Sequence, residues 1–125
     1  LKTPGVTFVN VQYGDCADEL ARAQQMHGVT IHSILGLDLK NDIEGAAALS
    51  AALDLVISAP TAAAATAGAV GTETWFLTAG RTWPQLGTEE FPWYRATKVL
   101  SPKKFGDWVS LMPSVSRLLA GIAQA

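Results

Sequence analysis

The sequence predicts an α/β fold, a parallel sheet with helices on both faces. Three observations carry this. Short strand-like runs alternate with helical segments of about ten residues, the pattern of βαβ units. One run, Leu55 to Ser58, is apolar without alternation, as a strand buried on both faces would be. Glycines stand where the helical segments should stop, at Gly28 and Gly71. With 125 residues, 49% apolar and 16% charged, the chain can bury one core and is too short for two domains.

The elements follow in order. Val6 to Tyr13, VTFVNVQY, is β-branched and aromatic and ends at Gly14, so it reads as a strand. Asp15 is placed to cap a helix over Cys16 to His27, with Cys16, Leu20, Ala23 and Met26 as its apolar face. Val29 to Ile34 is a second short strand, followed by the polar loop Gly36 to Asp42. Asn41 and Glu44 have capping-box spacing and open a helix to about Ala52, with Ala46, Leu49 and Leu53 inward. The third strand, Leu55 to Ser58, leads through Pro60 and Thr61 into an alanine-rich helix that Gly71 ends. Thr74 to Thr78 is a fourth strand centred on Trp75, Phe76 and Leu77. Ala79 to Arg95 is a loop with Pro84 and Pro92, and Lys98 to Leu100 a last short strand. Trp108, Met112, Val115, Leu119 and Ile122 share one face of a closing helix, which Pro113 either restarts or kinks. Right-handed crossovers then make the strands near 6–13, 29–34, 55–58 and 74–78 parallel neighbours in one sheet.

Charge and cysteine content exclude several classes. The formal net charge is −2, and no basic run exceeds Lys103–Lys104, which argues against nucleic acid and against a polybasic membrane patch. The single cysteine, Cys16, cannot form an internal disulfide, and no Cys/His cluster has zinc spacing. A reducing, cytoplasmic compartment fits. The uncharged stretch Leu55 to Thr72 holds Pro60, Gly68 and Gly71 and is mostly alanine, so strand, turn and helix is a better parse than a membrane span. The chain starts at Leu1 without a signal peptide, which is expected of a fragment of a longer protein.

Ligands of open parallel sheets sit beyond the carboxyl ends of the strands. Gly14–Asp15, Leu35–Asp42, Ser58–Thr61 and Ala79–Arg95 should therefore share one edge. The strongest signal is SAPTAAAATAGAVG, Ser58 to Gly71. A strand feeds a helix of small side chains, whose N-terminal N–H groups and Thr61 hydroxyl can cradle phosphate. Alternatively, the alanines only let the helix pack tightly and Thr61 caps it. Asp15, Asp38 and Asp42 can position a sugar hydroxyl, or cap a helix and shape a loop. Lys40 can meet phosphate or stay solvated. His27 suits a helix end and His32 a strand, and neither has a nucleophile partner for a triad. Arg81, Trp83, Trp93, Tyr94 and Arg95 can close over a ligand or form a lid on the core. Arg81 directly follows the fourth strand.

The motifs FVNVQYGD (Phe8 to Asp15), DLKND (Asp38 to Asp42), DLVISAPT (Asp54 to Thr61), AGAVG (Ala67 to Gly71), the Trp75–Leu77 strand and PWY (Pro92 to Tyr94) occur in this order. The set resembles the C-terminal glycosyltransferase-like region of bacterial tetratricopeptide-repeat proteins, related to heptosyltransferases, in particular a subgroup associated with flagella and flagellin modification. The resemblance implies a glycosyltransferase B fold of two Rossmann-like halves. This chain, residues 1–125, would be a single domain, the C-terminal nucleotide-sugar-binding half, lacking its first strand. The N-terminal half and the repeats would lie elsewhere in the same polypeptide. It implies a nucleotide-sugar donor, no required metal or other cofactor, and flagellin, another protein or a cell-surface acceptor. The donor-site residues carried over are Thr61 and Ala62, with Gly14 and Asp15; Arg81 joins them on its position. No catalytic residue is assigned within the chain, so the chain alone should not transfer sugar. Members of that family read DTAxxHLAGAL after the third strand, and here Pro60 stands at the acidic position and Ala65 at the histidine. Those two departures favour an alternative, a degenerate transferase fold kept as a protein-interaction module.

Overall fold

Every strand pairing in the computed structural model, which describes residues 2–125, is parallel. The order is β1 (Phe8–Val9), α1 (Ala17–His27), β2 (Ile31–His32), α2 (Ile43–Ala52), β3 (Leu55–Ser58), α3 (Ala62–Ala69), β4 (Glu73–Leu77), β5 (Thr97–Leu100) and α4 (Trp108–Ala123). A single 3-10 turn, Trp83–Gln85, interrupts the loop between β4 and β5. The chain is thus α/β with parallel strands flanked by helices, a Rossmann-like arrangement. The single sheet expected from the sequence is not formed. β1 pairs with β2 in one two-stranded ladder, and β3, β4 and β5 form a separate three-stranded ladder in that order. A cavity of about 640 Å³ lies between them, lined by β1 on one side and by Ile57, Ser58 and Ala59 on the other. The first two strands are also shorter than predicted, because only Phe8–Val9 and Ile31–His32 find partners.

The local reasons are mostly readable. Gly28 ends α1 in the left-handed region (φ 60°), its N–H donating to Gln24 O at 2.8 Å, the expected glycine stop. Asp15 does not cap that helix: Cys16 is the N-cap and offers no side-chain bond, while Asp18 and Glu19 supply negative charge in the first turn. The cap of α2 also moves by one residue. Asp42 accepts from Gly45 N at 2.8 Å, and the Asn41 side chain turns back to Asp38 instead. α4 runs unbroken through Pro113. Its buried stripe is Leu111 and Val115 with Leu119 beside them, whereas Trp108, Met112 and Ile122 are exposed, so the inward face lies about one position round from the predicted one. Asp107 caps the start of α4, accepting from Ser110 N at 3.2 Å.

Side-chain alternation divides the three-stranded ladder into two faces. On one, Trp75 is fully buried against Leu111 and Val115, with Leu55, Ile57, Leu77 and Leu100 packed around it. Its indole N–H donates to Glu73 at 2.9 Å, and the Lys98 ammonium stands 5.4 Å from the ring centre. On the other face lie the buried Val56 and Phe76, and α3, which buries Ala64, Ala67 and Gly68. Thr72 ties the turn before β4 to α2 through a 2.8 Å bond to Ser50 O. The loop from Ala79 to Arg95 is anchored on that second face. Phe91 meets Phe76 edge-on at 4.5 Å and stacks on Tyr94 at 5.8 Å. Gln85, only 2% exposed, accepts from Thr82 N at 2.8 Å and holds the 3-10 turn in place.

Candidate functional site

β1 of the two-stranded ladder and β3 of the three-stranded ladder both line the gap between the ladders, and the chain crosses from one ladder to the other between β2 and β3. Ligands of open α/β sheets bind at such a crossing point, beyond the carboxyl ends of the strands. Two adjoining cavities open there. The larger is lined by Phe8 to Tyr13 along β1 and by Ile57, Ser58, Ala59, Thr61 and Ala63. The smaller, about 250 Å³, is lined by Gly14, Cys16, Ser33, Leu37, Asp38 and Lys40 among others. Asn10, Gln12 and Tyr13 border both.

Thr61 is the N-cap of α3 with extended backbone, yet its side chain makes no capping bond. The hydroxyl lies 3.2 Å from Ser58 Oγ, and Ser58 Oγ itself donates to Ala59 O at 2.9 Å. The first intrahelical bond runs from Ala65 N to Thr61 O at 3.0 Å, which leaves the N–H groups of Ala62, Ala63 and Ala64 as the free donors of the first turn. With Thr61 and Ala63 on the wall of the larger cavity, one end of that cavity is a helix N-terminus without a side-chain acceptor upon it. The Thr61 hydroxyl therefore supplies no side-chain capping bond, while the tight packing expected of the small residues is present at Ala64, Ala67 and Gly68.

The remaining candidates separate. Gly14 lies on the smaller cavity with φ of 92°, a turn that favours glycine. Asp15 is exposed and borders neither cavity. Arg81 pairs with Glu89 within its own exposed loop, away from both cavities. Asp38 builds its loop: its carboxylate accepts from Asn41 Nδ2 at 2.7 Å and from Lys40 N and Asn41 N. The Asn41 side chain, then these backbone bonds, hold that carboxyl below its usual range. Tyr94 packs on Gly68 and anchors the loop on the core, Trp93 donates to Pro84 O at 2.9 Å within the loop, and both Trp83 and Trp93 are exposed. Cys16 is buried.

Asn10 and Gln12 were not singled out as candidates from the sequence, whereas Ser58 opens its strongest motif. The signal was present in β1 and its continuation, where Asn10 and Gln12 alternate with Val9, Val11 and Tyr13. Asn10 Oδ1 accepts from Gln12 N at 3.0 Å, which shapes the chain as it leaves β1. Among the described residues, no group of three or more His, Cys, Asp and Glu is arranged to hold a metal ion. No helix among them is long and apolar enough to cross a membrane.

No protein-family model matches the chain, and no solved structure matches it. The chain is 46% identical over 123 residues to protein FlbA of Caulobacter vibrioides. The match covers 98% of this chain and 21% of FlbA, so the chain spans about one fifth of that relative's length.

Proposed function

We propose that this chain is the donor-binding half of a nucleotide-sugar-dependent glycosyltransferase-like protein. One observation carries the reading: the uncapped N-terminus of α3, with Thr61 and the first-turn amides of Ala62 and Ala63, forms one end of the cavity at the crossing point. A diphosphate is an acceptor-only, doubly charged group, and a helix N-terminus offers free donors and partial positive charge together. Gly14 and Lys40 border the adjoining space, where the nucleoside or sugar would extend. The resemblance drawn from the sequence makes the parent a cytoplasmic tetratricopeptide-repeat protein that modifies flagellin or a surface acceptor, and a relative of much greater length accords with a multi-part parent. This reading of the donor site leaves out Asp15, which borders neither cavity, and Arg81, which pairs with Glu89.

A specific observation favours a second reading, a partner-binding module without transfer activity. Pro60 and Ala65 replace the acid and histidine of the resembled family, and Leu35, Trp83 and Phe105 stand more than four-fifths exposed, at 97%, 83% and 87%. Calorimetric titration of nucleoside diphosphates and nucleotide sugars into the full-length protein separates the readings. Donor binding predicts saturable heat, weakened by Thr61→Val by about 0.5–1.5 kcal/mol through loss of one direct bond. The module predicts no heat with any nucleotide. Saturable heat that Thr61→Val leaves unchanged removes Thr61 from the site.

A further inference from the structure

The loop between β4 and β5 turns its largest apolar side chains outward on a braced support. Gln85, buried beneath it, accepts from Thr82 N at 2.8 Å and Thr82 Oγ1 at 3.2 Å and donates to Thr88 O at 3.3 Å. Thr88 Oγ1 returns a bond to Gln85 O at 2.8 Å. Arg81 and Glu89 pair across the two ends of the turn. From further along the loop, the Trp93 indole N–H donates to Pro84 O at 2.9 Å, which brings that ring beside the neighbour of Trp83. The turn so held displays Trp83 at 83% exposure, Leu86 at 62% and Trp93 at 55%.

Folding alone does not account for this display. Leu86 has a φ of 52°, the left-handed region, and among the described residues every other positive φ belongs to a glycine. Glycine would hold that conformation at less cost, and the leucine side chain recovers little of the difference by burial. Strain of this kind persists where the surroundings impose it, and it gathers at ligand-binding surfaces.

The chemistry around the two indoles selects the ligand. The charges of the loop, Arg81, Glu89, Glu90 and Arg95, cancel, so the surface draws neither an anion nor a cation. The face of an indole is the negative side of its quadrupole. It suits the C–H face of a pyranose ring, whose hydrogens carry partial positive charge because oxygen substituents withdraw electrons. A sugar hydroxyl donates and accepts, whereas a guanidinium only donates and a carboxylate only accepts. The exposed Arg81–Glu89 pair offers both functions at the foot of the turn. A proline-rich peptide presents acceptors without donors at its prolines and would leave Glu89 unused. A bilayer would have to desolvate the ion pair.

We propose that the Trp83 turn is a binding surface for neutral pyranose rings of gluco configuration, whose equatorial hydroxyls leave both ring faces apolar. Trp83 stacks on one ring, Arg81 and Glu89 take its hydroxyls, and Trp93 extends the stacking surface. Neither tryptophan lines either cavity, so this surface is distinct from the donor site and stands whether or not that site binds a nucleotide.

The test is calorimetric titration of cellohexaose and of chitohexaose, both free of nucleotide and of net charge, into the full-length protein. Saturable heat with at least one of them is expected, weakened at least about tenfold by Trp83→Ala. Glu89→Ala should weaken it as well, and Trp83→Tyr, which keeps an aromatic face, should bind more tightly than Trp83→Ala. The urea midpoint of Trp83→Ala should equal that of the parent, since the side chain is exposed, and this separates lost binding from a lost fold. Should that midpoint fall, Glu89→Ala and Trp83→Tyr decide in its place. Absence of heat from both oligosaccharides up to about 10 mM overturns the proposal. Heat that neither Trp83→Ala nor Glu89→Ala weakens overturns it too. Binding of decaproline or of phosphatidylcholine vesicles in place of the sugars, abolished by Trp83→Ala, also overturns it and assigns the surface to a peptide or a bilayer.

Discussion

Replacing Gly68 by alanine sets two well-sized effects against each other. Gly68 lies in α3, where alanine is the better helix former by about 0.8–1.0 kcal/mol. A Cβ there, however, would stand 2.7 Å from Tyr94 Cδ2 and 2.9 Å from Tyr94 Cγ, inside contact distance for carbon. The ring cannot retreat freely, because it stacks on Phe91, which in turn stands edge-on against the buried Phe76. Overpacking of this kind costs about 1–3 kcal/mol, and loss of the aromatic pair adds to that. The difference leaves Gly68→Ala about 1 kcal/mol destabilising, read as a lower urea midpoint at unchanged slope. The informative measurement is the same substitution in a Tyr94→Ala background. With the ring gone, what opposes the helix term is the 3.2 Å approach to the Cβ that remains at position 94, which a shift of a few tenths of an ångström relieves, so alanine should then stabilise by less than about 1 kcal/mol. Stabilisation by Gly68→Ala in the parent, or the same sign in both backgrounds, refutes the assignment of this glycine to the Tyr94 contact.

Asp42→Ala should cost about 0.5–2 kcal/mol through loss of the α2 cap, while Asp15→Ala should change stability by less than about 0.5 kcal/mol, and urea titration of the pair checks the assignment of caps. Asp38 has its folded-state pKa depressed by Asn41 and the loop amides. Its contribution is therefore present above the unfolded value of about 3.9 and lost as pH falls through the lower folded value. Asp38→Asn should flatten the acid limb of the stability–pH curve, and an unchanged acid limb would dismiss the carboxylate's role. The chain by itself should show no sugar transfer and at most millimolar nucleotide affinity, about −4 kcal/mol. Turnover of a nucleotide sugar by the purified chain, lost on mutation of Thr61, would show that a complete site lies within these 125 residues.

What the sequence disclosed followed from locally decided features. β3 and β4 were legible because contiguous apolar runs need two covered faces, and Gly28 because a left-handed stop favours glycine. The helix N-termini were off by a residue because Asn41 and Asp42 are both competent caps, and the choice turned on Asn41 being drawn to Asp38. Val115 and Leu119 on the inward face of α4 were legible, whereas Leu111 was missed because Trp108 and Met112 are as apolar as it is, and only the position of Trp75 selects between them. Of the residues that line the two cavities, Thr61 and Gly14 were visible as a strand-to-helix turn and a strand-ending glycine. The pairing of Arg81 with Glu89, eight residues on, was not, since it is a property of the folded loop. The division into two ladders was equally hidden: hydrophobic pattern says that a strand is buried, not which strand lies beside it.

Cys16 offers a built-in reporter for the weakest part of the molecule. It is the only thiol in the chain, 7% exposed, with Asn10 Nδ2 3.7 Å from its sulfur. It holds the start of α1 against the end of β1, the unit with the least burial elsewhere. Any excursion that lifts α1 from β1 uncovers the sulfur, whereas breathing confined to the loop between β4 and β5 does not. The alkylation rate under native conditions, divided by that of the unfolded chain, then counts the fraction of molecules with this unit open. A small electrophile thus acts as a clock on one half of the protein while the tryptophan-centred half remains closed.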